Sequence, residues 1–360
     1  MDIGREALVR KELSRFAESR TAGSLAAFAF DLALYAAGVA VAVLASDVWV
    51  KALGVIVAGT ATSTLFVLGH DAAHRSLVAG NRLNAVLGRI AFLPCLHNHT
   101  LWIIQHNWLH HQSTNVRGIN SFSPLSPAEF ARLSPWRRGL ERYYRSVAGF
   151  GAYYLVERWW RDKFFPRAAT PAAKRGAAWL DFGLLVLWLA LLSAGLVALD
   201  AHAGRSPPAP AAAIAWGFAL PFLVWNALMG MTAFLQHTNP RLPWFLTPAD
   251  ARASKSQAEL AVYVRYPRWY DLLSHNIMQH PAHHVNPRIP WFRLAAAQRT
   301  IDALLGADAV TERMGPRYVL GLTRTCQLYD YERQQWLDFA GGATAAAERG
   351  PQSPQPARAD

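Results

Sequence analysis

The sequence predicts an all-α integral membrane protein with four transmembrane helices arranged as two hairpins. The chain is 52% hydrophobic, yet it carries a formal net charge of +12, a combination that fits a membrane protein with basic water-facing parts. A membrane-spanning helix needs about 20 predominantly apolar residues. Four segments approach or exceed that length, at about 21–46, 52–69, 182–199 and 210–235. Short connections join the first segment to the second and the third to the fourth, which predicts the two hairpins.

Basic residues are distributed unequally between the connections. The connections at 47–51 and 200–209 hold one Lys or Arg each, whereas the stretch from 71 to 175 holds about fifteen. The positive-inside rule therefore predicts that both termini and this central block lie in the cytoplasm. Because no basic stripe stands apart from the apolar segments, we expect contact with membrane lipid and no nucleic-acid partner.

The chain is expected to form one domain over residues 1–340. Residues 341–360 are rich in Ala, Gly, Pro and Gln and are predicted to be a disordered tail. The two cysteines, Cys95 and Cys326, are far apart and lie in no CxxC motif. The sequence therefore predicts neither a disulfide framework nor a cysteine-built metal site.

Twelve of the thirteen histidines fall in a few tight groups. Residues three or four apart share one face of a helix, so each close cluster presents several imidazoles together. The clusters are His70 with His74; His106 with His110 and His111; and His280 with His283 and His284. His237 follows the fourth apolar segment directly. A single histidine near a membrane boundary is usually interfacial or hydrogen-bonded, and His202 and His99 are interpreted in that way.

The number of clustered histidines indicates two metal ions. A zinc site uses three or four protein ligands, so eight or nine histidines exceed one tetrahedral site. Imidazole suits iron, copper, nickel and zinc alike, so ligand type alone leaves the metal open. The HExxH motif of zinc proteases is absent, which disfavours a hydrolase. A nitrogen-rich pair of redox metals beside an apolar bundle suits activation of O₂ against an unreactive C–H bond.

The clusters HDAAH, HNWLHH and HPAHH resemble the three histidine boxes of membrane fatty acid desaturases. The segments FLQHTNPRLPWF at 234–245 and HNIMQHPAHHVNPRIPW at 275–291 resemble the delta-12/omega-6-like branch of that family. The resemblance covers roughly residues 50–300. It implies a four-span bundle with a cytoplasmic helical cap that holds two iron ions (Fe²⁺/Fe³⁺). It also implies O₂-dependent, two-electron removal of vicinal hydrogens from a fatty acyl chain.

Carried over residue by residue, the resemblance implies a specific set of metal ligands. The nine ligands are His70, His74, His106, His110, His111, His237, His280, His283 and His284. The resemblance gives His275 the role of a ligand or of a residue that contacts one. Asp71 stands where the family has an acidic residue, and is expected to orient a ligand imidazole. No catalytic residue is expected beyond the metal centre.

Two departures from the family pattern bear on geometry. The second cluster reads HxxxHH instead of the commoner HxxHH, which in a regular α-helix turns His106 about 100° further round relative to the following pair. Pro281 follows His280 directly. Since proline is tolerated in the first turn of a helix, a helix is predicted to begin at Pro281 with His280 as its cap.

No electron-carrying module is recognisable in the chain, so a separate ferredoxin-like or cytochrome-like donor is expected. The arginines between Arg132 and Arg145 suit either an acidic donor or anionic lipid headgroups. A hydroxylase or an acetylenase acting on a lipid would use the same metal centre. A metal transporter or a haem protein is the alternative from another class. Transport is disfavoured because Asp31 and Asp181 are interpreted as boundary residues, outside the centres of the spans.

Overall fold

A computed structural model describes residues 3–203, 209–254 and 256–346, and these residues are mostly helical. In chain order the α-helices in the described residues are α1 (Ile3–Ser14), α2 (Thr21–Leu44), α3 (Val48–Ala73), α4 (Asn81–Phe92), α5 (His99–Trp102), α6 (Pro127–Arg132), α7 (Pro135–Tyr144), α8 (Phe150–Tyr153), α9 (Ala172–His202), α10 (Pro210–Ile214), α11 (Leu220–His237), α12 (Pro248–Ser254), α13 (Arg268–Leu273), α14 (His280–Val285), α15 (Trp291–Leu305) and α16 (Pro316–Thr325).

Three stretches continue these helices in the π-helical form, in which backbone hydrogen bonds join residues five apart. They are Ile103–His110 after α5, Tyr154–Lys163 after α8, and Ala215–Ala219 between α10 and α11. Short 3₁₀ turns occupy Val147–Gly149, Gln257–Glu259 and Gly306–Asp308.

Two small sheets show that the all-α prediction is wrong in detail. Strand β1 (Tyr263–Arg265) pairs in parallel with β2 (Thr311–Arg313), with Tyr263 opposite Thr311. A second, antiparallel sheet has the order β3-β4-β5. Its strands are β3 (Leu328–Asp330), β4 (Gln335–Leu337) and β5 (Ala343–Ala346). Strands of three or four residues are too short to show the alternation of apolar and polar residues that would reveal them in a sequence.

The predicted disordered tail is wrong at its beginning. It was expected from residue 341, but residues 343–346 form strand β5, where Ala345 pairs with Trp336 of β4. Residues 347–360 of that predicted tail lie outside the described residues.

Four helical stretches of the described chain are long and apolar enough to cross a membrane: Thr21–Leu44, Val48–Ala73, Ala172–His202 and Pro210–His237. Each coincides with one of the predicted spans, and the third begins ten residues earlier than predicted. The fourth comprises α10, a π-helical turn and α11. The two-hairpin arrangement and the cytoplasmic position of the remaining helices stay predictions.

Helices α2 and α3 run antiparallel and approach each other closely through small residues. Gly38 faces Ala58, and Gly54 faces Ala42. A Cβ added to Gly54 would lie 2.5 Å from the Ala42 amide nitrogen. Small residues at such interfaces let helix backbones pack in direct contact inside a membrane. This interface fixes the position of α3, which carries the first histidine cluster.

The buried acidic residue Asp181 joins the three helices α4, α5 and α9. Asp181 of α9 accepts a hydrogen bond from Arg89 Nε of α4 at 2.6 Å, and another from the backbone amide of Thr100 in α5 at 2.7 Å. Asp181 is 3% exposed. Because an unpaired buried carboxylate is costly, these contacts hold α5, and the π-helical stretch that follows it, against α9.

The helices outside the spans have an apolar core of their own. Val9 and Leu13 of α1 are buried against Val285 of α14 and Ile301 of α15. The N-terminal helix therefore packs on α14, which carries the last histidine cluster.

The α2–α3 contact predicts a stability effect. Gly54→Ala should lower the free energy of unfolding by about 1–3 kcal/mol, because the added methyl group forces two helix backbones apart. Thermal unfolding in detergent measures the change. Gly183→Ala is the matched control, since a Cβ at Gly183 of α9 meets nothing within 4 Å. Equal midpoints for the two variants would contradict close packing at Gly54.

Candidate metal centre

The structure brings the nine predicted ligand histidines into two adjoining groups. Within each group, one ring nitrogen from every residue lies within 4.8 Å of the others. Site A, the first group, contains His70, His74, His106, His111 and His283. Site B, the second group, contains His110, His237, His280 and His284.

Four elements supply these side chains. His70 lies in the last turn of α3 and His74 is its C-cap, while His237 is the last residue of α11. The span prediction ended these helices before His70 and His237, but the helices continue through both residues. His70 and His237 therefore both lie at the end of an apolar helix, where polar groups are common because the last carbonyl groups have no intrahelical partners. The rest of the site meets the apolar bundle at this edge.

The π-helical stretch and α14 each serve both sites. His106 belongs to site A, whereas His110 belongs to site B. Within α14, His283 points to site A and its neighbour His284 to site B, because successive residues of a helix lie about 100° apart. Two short elements therefore connect the two sites directly.

The π-helical form accounts for the unusual HxxxHH spacing. The backbone amide of His111 donates to the His106 carbonyl at 3.1 Å, five residues earlier, so the two residues are separated by one wide turn. Their Nε2 atoms lie 3.2 Å apart. The displacement of His106 expected for a regular α-helix therefore does not arise, since the wider turn takes up the extra residue.

Helix α14 begins one residue earlier than predicted. His280 is its first residue and Gln279 is the N-cap, while Pro281 lies in the first turn. The predicted cap role of His280 is therefore wrong by one position. Pro281 lacks an N–H, and the first turn is where a missing N–H costs no helical hydrogen bond.

The nitrogen–nitrogen separations in site A are those of ligands around one metal ion. Nε2 of His106 lies 2.9 Å from that of His70, and Nε2 of His111 lies 3.0 Å from that of His283. A neutral imidazole has only one N–H, so it cannot donate to two rings at once. Two nitrogens that bind one ion at about 2.0–2.1 Å and at right angles lie about 3 Å apart.

Site B has the same spacing. Nε2 of His280 lies 2.9 Å from that of His237 and 3.0 Å from that of His284. Nε2 of His284 lies 3.1 Å from that of His110. The set of four donors is again compact enough to surround one ion.

Burial keeps these rings in the form that binds metal. Burial and then the neighbouring His111 imidazole lower the pKa of His106 well below its ordinary value. Burial and then His70 do the same to the pKa of His283. The rings are therefore neutral at neutral pH, as metal ligation requires. The buried Nε2 of His74 has no hydrogen-bond partner among the described residues, which fits a nitrogen reserved for a metal.

Polar groups contact the far nitrogens of several rings. Asp71 Oδ1 lies 3.4 Å from His70 Nδ1, and Asp71 Oδ2 accepts from the Trp291 amide at 2.7 Å. This contact agrees with the orienting role expected for Asp71. Such outer contacts fix the ring orientation of metal-bound histidines.

Two further outer contacts were missed from the sequence. Thr114 Oγ1 lies 3.3 Å from His284 Nδ1, and the Asn120 amide lies 2.5 Å from His110 Nδ1. Thr114 follows His110 by four residues, and this helical spacing could have indicated in the sequence that Thr114 lies near the site. Asn120 lies in a loop, where no spacing pattern in the sequence indicates the contact.

His275 lies outside both sites. Its Nε2 is 2.7 Å from Asp31 Oδ2, in a hydrogen bond that joins the loop before α14 to the span α2. The ring packs on Trp291, with centroids 4.7 Å apart. Asp31 is 1% exposed and lies ten residues into α2, so its interpretation as a boundary residue is wrong.

The remaining histidines also lie outside the two sites. His202 is the exposed last residue of α9. His97 bonds the Cys95 carbonyl and the Tyr154 hydroxyl. His99 is buried, and neither ring nitrogen has a hydrogen-bond partner among the described residues, which contradicts its expected interfacial or hydrogen-bonded role.

An apolar cavity opens onto both sites. It lies between α3, α11 and α13, and extends along α3 from His70 to Thr60. His106 of site A and His280 of site B also line it. Ten residues of helix correspond to about 15 Å, so the cavity runs well into the span. Trp102 borders it and stacks on His106, with centroids 4.6 Å apart.

Comparison with known proteins identifies the family. The family model described as "Fatty acid desaturase" matches residues 46–315. The sn-1 oleoyl-lipid 12-desaturase of Synechocystis is 27% identical over 76% of this chain and 74% of its own length. The corresponding enzyme of Picosynechococcus is 27% identical over 83% of this chain and 82% of its own length. The chloroplastic omega-6 fatty acid desaturase of Glycine max is 25% identical over 76% of this chain and 62% of its own length.

These matches confirm the family and branch predicted from the histidine motifs. They also exclude the interpretation as a transporter or haem protein, because the family model spans three-quarters of the chain, including all nine histidines of the two sites. The chain belongs to the fatty acid desaturase family and is an oxidoreductase.

Proposed function

We propose that the protein introduces a double bond into a fatty acyl chain, using O₂, a pair of histidine-bound iron ions and electrons from a separate donor protein. The observation that carries the proposal is the pair of histidine groups at the end of an apolar cavity. Such a cavity excludes water and binds an unbranched hydrocarbon, while both groups of nitrogens reach its lining.

The donor set supports iron over zinc. Site A offers five imidazoles, one more than tetrahedral zinc accepts, and neither site includes a carboxylate or a thiolate among its described members. Zinc is also redox-inactive, whereas desaturation is an oxidation. When bound, an iron pair supplies the O₂-derived oxidant needed to remove hydrogen from an unactivated C–H bond.

The side chains of the protein position the acyl chain and exclude water from the site. Val67 and Leu228 line the cavity with apolar surface, which holds the acyl chain without directional contacts. Trp102 and Phe66 pack edge to face at 4.9 Å beside the histidines and exclude water there. Water exclusion protects a reactive intermediate from side reactions. Asp71 holds the ring of His70 in orientation.

The relatives support an oleoyl-type substrate. Those from cyanobacteria are named for action on oleoyl lipid at position 12, and those from plants as omega-6 desaturases. We infer the same class of acyl chain for this protein. Hydroxylation or acetylenation remains the alternative outcome of the product assay described below.

The proposed electron donor would dock on exposed basic residues, and fewer are accessible than the sequence suggested. Arg145 is 2% exposed and donates to the Phe122 carbonyl. Arg137 is paired with Glu157 at 2.7 Å. Among the arginines of this stretch, Arg132 and Arg142 have exposed side chains. Under the predicted topology, this surface and the metal centre lie on the cytoplasmic side.

Removing one ligand from each site tests the metal centre. His110→Ala and His283→Ala should each lower product formation by at least about 100-fold and reduce bound iron, because each ring completes a different site. Iron is measured by elemental analysis of purified protein, and product by mass spectrometry of the extracted fatty acids. His202→Ala is the matched control and should match wild type. Full iron content in either site variant would count against that residue as a ligand.

Loss of the orienting contact from Asp71 should weaken the metal centre less than loss of a ligand histidine. Asp71→Ala should weaken iron binding by about 10–100-fold, since loss of such an outer contact frees the ring of His70. A competition titration with a chelator measures the affinity. Asp47→Ala, at the opposite end of α3, removes a helix cap and should leave the affinity unchanged. The same affinity in both variants would refute the orienting role.

Metal replacement tests the redox requirement. Metal-free protein reloaded with Fe²⁺ should form a cis double bond in oleoyl substrate when O₂ and a reduced ferredoxin-like or cytochrome-like donor are supplied. Protein reloaded with Zn²⁺ should bind metal and form no product, because zinc cannot change oxidation state. Full activity with zinc would refute the iron assignment, and a hydroxylated or acetylenic product would refute desaturation.

A further inference from the structure

Helix α13 (Arg268–Leu273) is the thin wall between the apolar cavity and the outside of the protein. Tyr270 and Leu273 lie three residues apart on one face and line the cavity. Trp269 and Leu272 lie on the other face and are 66% and 55% exposed. Arg268 and Asp271 form a polar strip between these two faces, so α13 presents apolar side chains both to the cavity and away from it.

The position of α13 along the spans follows from a buried hydrogen bond between His275 and Asp31. In the antiparallel register of Gly38 with Ala58, Asp31 of α2 lies level with Leu65 of α3. That level is five residues, or about 7 Å, from His70 toward the centre of the span. His275 follows α13 by two residues and is bonded to Asp31 at 2.7 Å. The end of α13 is therefore held at a depth inside one leaflet.

The outer face of α13 has the composition of a helix at the headgroup level. Trp269 and Leu272 are accompanied by the exposed cations Arg268 and Arg265. Tryptophan and arginine are typical of this layer, where an apolar body meets lipid and a polar end meets water. Arg265 lies 3.7 Å from Asp302 and its side chain is 57% exposed, so it remains accessible.

We propose that α13 lies in the headgroup layer and forms the entrance through which an acyl chain of a lipid in the same bilayer reaches the cavity. The proposal rests on the proposed function and concerns the route by which an acyl chain esterified to a membrane lipid enters the site. The inner face of α13 borders the cavity that reaches the site. A water-soluble acyl thioester of coenzyme A or of a carrier protein would need an entrance facing water.

The first test locates α13 relative to the bilayer without using activity. Both native cysteines, Cys95 and Cys326, are buried, so an introduced exposed cysteine is labelled selectively. Leu272→Cys and the control Leu320→Cys, a similarly exposed leucine of α16, are labelled with an environment-sensitive fluorophore in lipid nanodiscs. Brominated lipids should quench the label at position 272 at least twofold more strongly. Equal quenching at both positions would overturn the membrane location.

The second test measures entry of substrate. Leu272→Glu should raise KM for dioleoyl phospholipid in vesicles about tenfold, with kcat and iron content near wild type, because the charge repels α13 from the headgroup layer. Leu320→Glu is the matched control, and Leu272→Met should restore the wild-type KM. Equal KM values for the two glutamate variants would overturn the entrance, as would a loss of kcat alone.

A third experiment tests the substrate class by comparing two kinds of oleoyl substrate. Wild-type protein should convert dioleoyl phospholipid in vesicles in preference to oleoyl thioesters. Conversion of the thioesters alone would overturn the lipid substrate while leaving the desaturase function intact. A wild-type protein that forms no oxidised product from any of these compounds would instead refute the proposed function, and the quenching result would still decide where α13 lies.

Discussion

The structure depends on the convergence of nine imidazoles in two groups, and within each group the nitrogens lie about as close together as ligands of one ion. Without a metal, such a group places buried polar atoms against one another with too few protons to bond them, as the unpartnered Nε2 of His74 illustrates. A metal in each site would give these nitrogens a partner. The ends of α3 and α11, the π-helical stretch and α14 all meet at this point, so metal binding would be coupled to the packing of these elements.

Two buried carboxylates hold the rest of the chain in register with this centre. Asp181 bonds α4 and α5 to α9, and Asp31 bonds the loop before α14 to α2. A buried carboxylate is tolerated only when it is paired, so each contact strongly favours one arrangement of the helices it joins. The sequence predicts that these acids mark the ends of spans. In the structure they connect the spans to the elements that carry the histidines.

The sequence predicted the nine residues of the two sites because their signal is local. Clusters such as His70 with His74 are recognisable from helical spacing alone, and long apolar segments reveal the spans. The division into two sites was not predictable, since it depends on side chains far apart in the chain, such as His110 and His284 at 3.1 Å. The pairing of His275 with Asp31 was missed for the same reason. Short strands such as β1 carry too few residues for a pattern.

The π-helical stretch shows how a change in motif spacing can leave a site intact. An extra residue between His106 and the pair that follows would rotate one ring away from its site in a regular α-helix. The backbone instead adopts the wider turn, and the amide of His111 bonds the carbonyl of His106. The cost is the poorer hydrogen bonding of a π-helix, which is usually found where a functional geometry requires it. The separation of 3.2 Å between the two Nε2 atoms is the geometry gained, so the nitrogens stay close together although the spacing of the histidines in the chain differs.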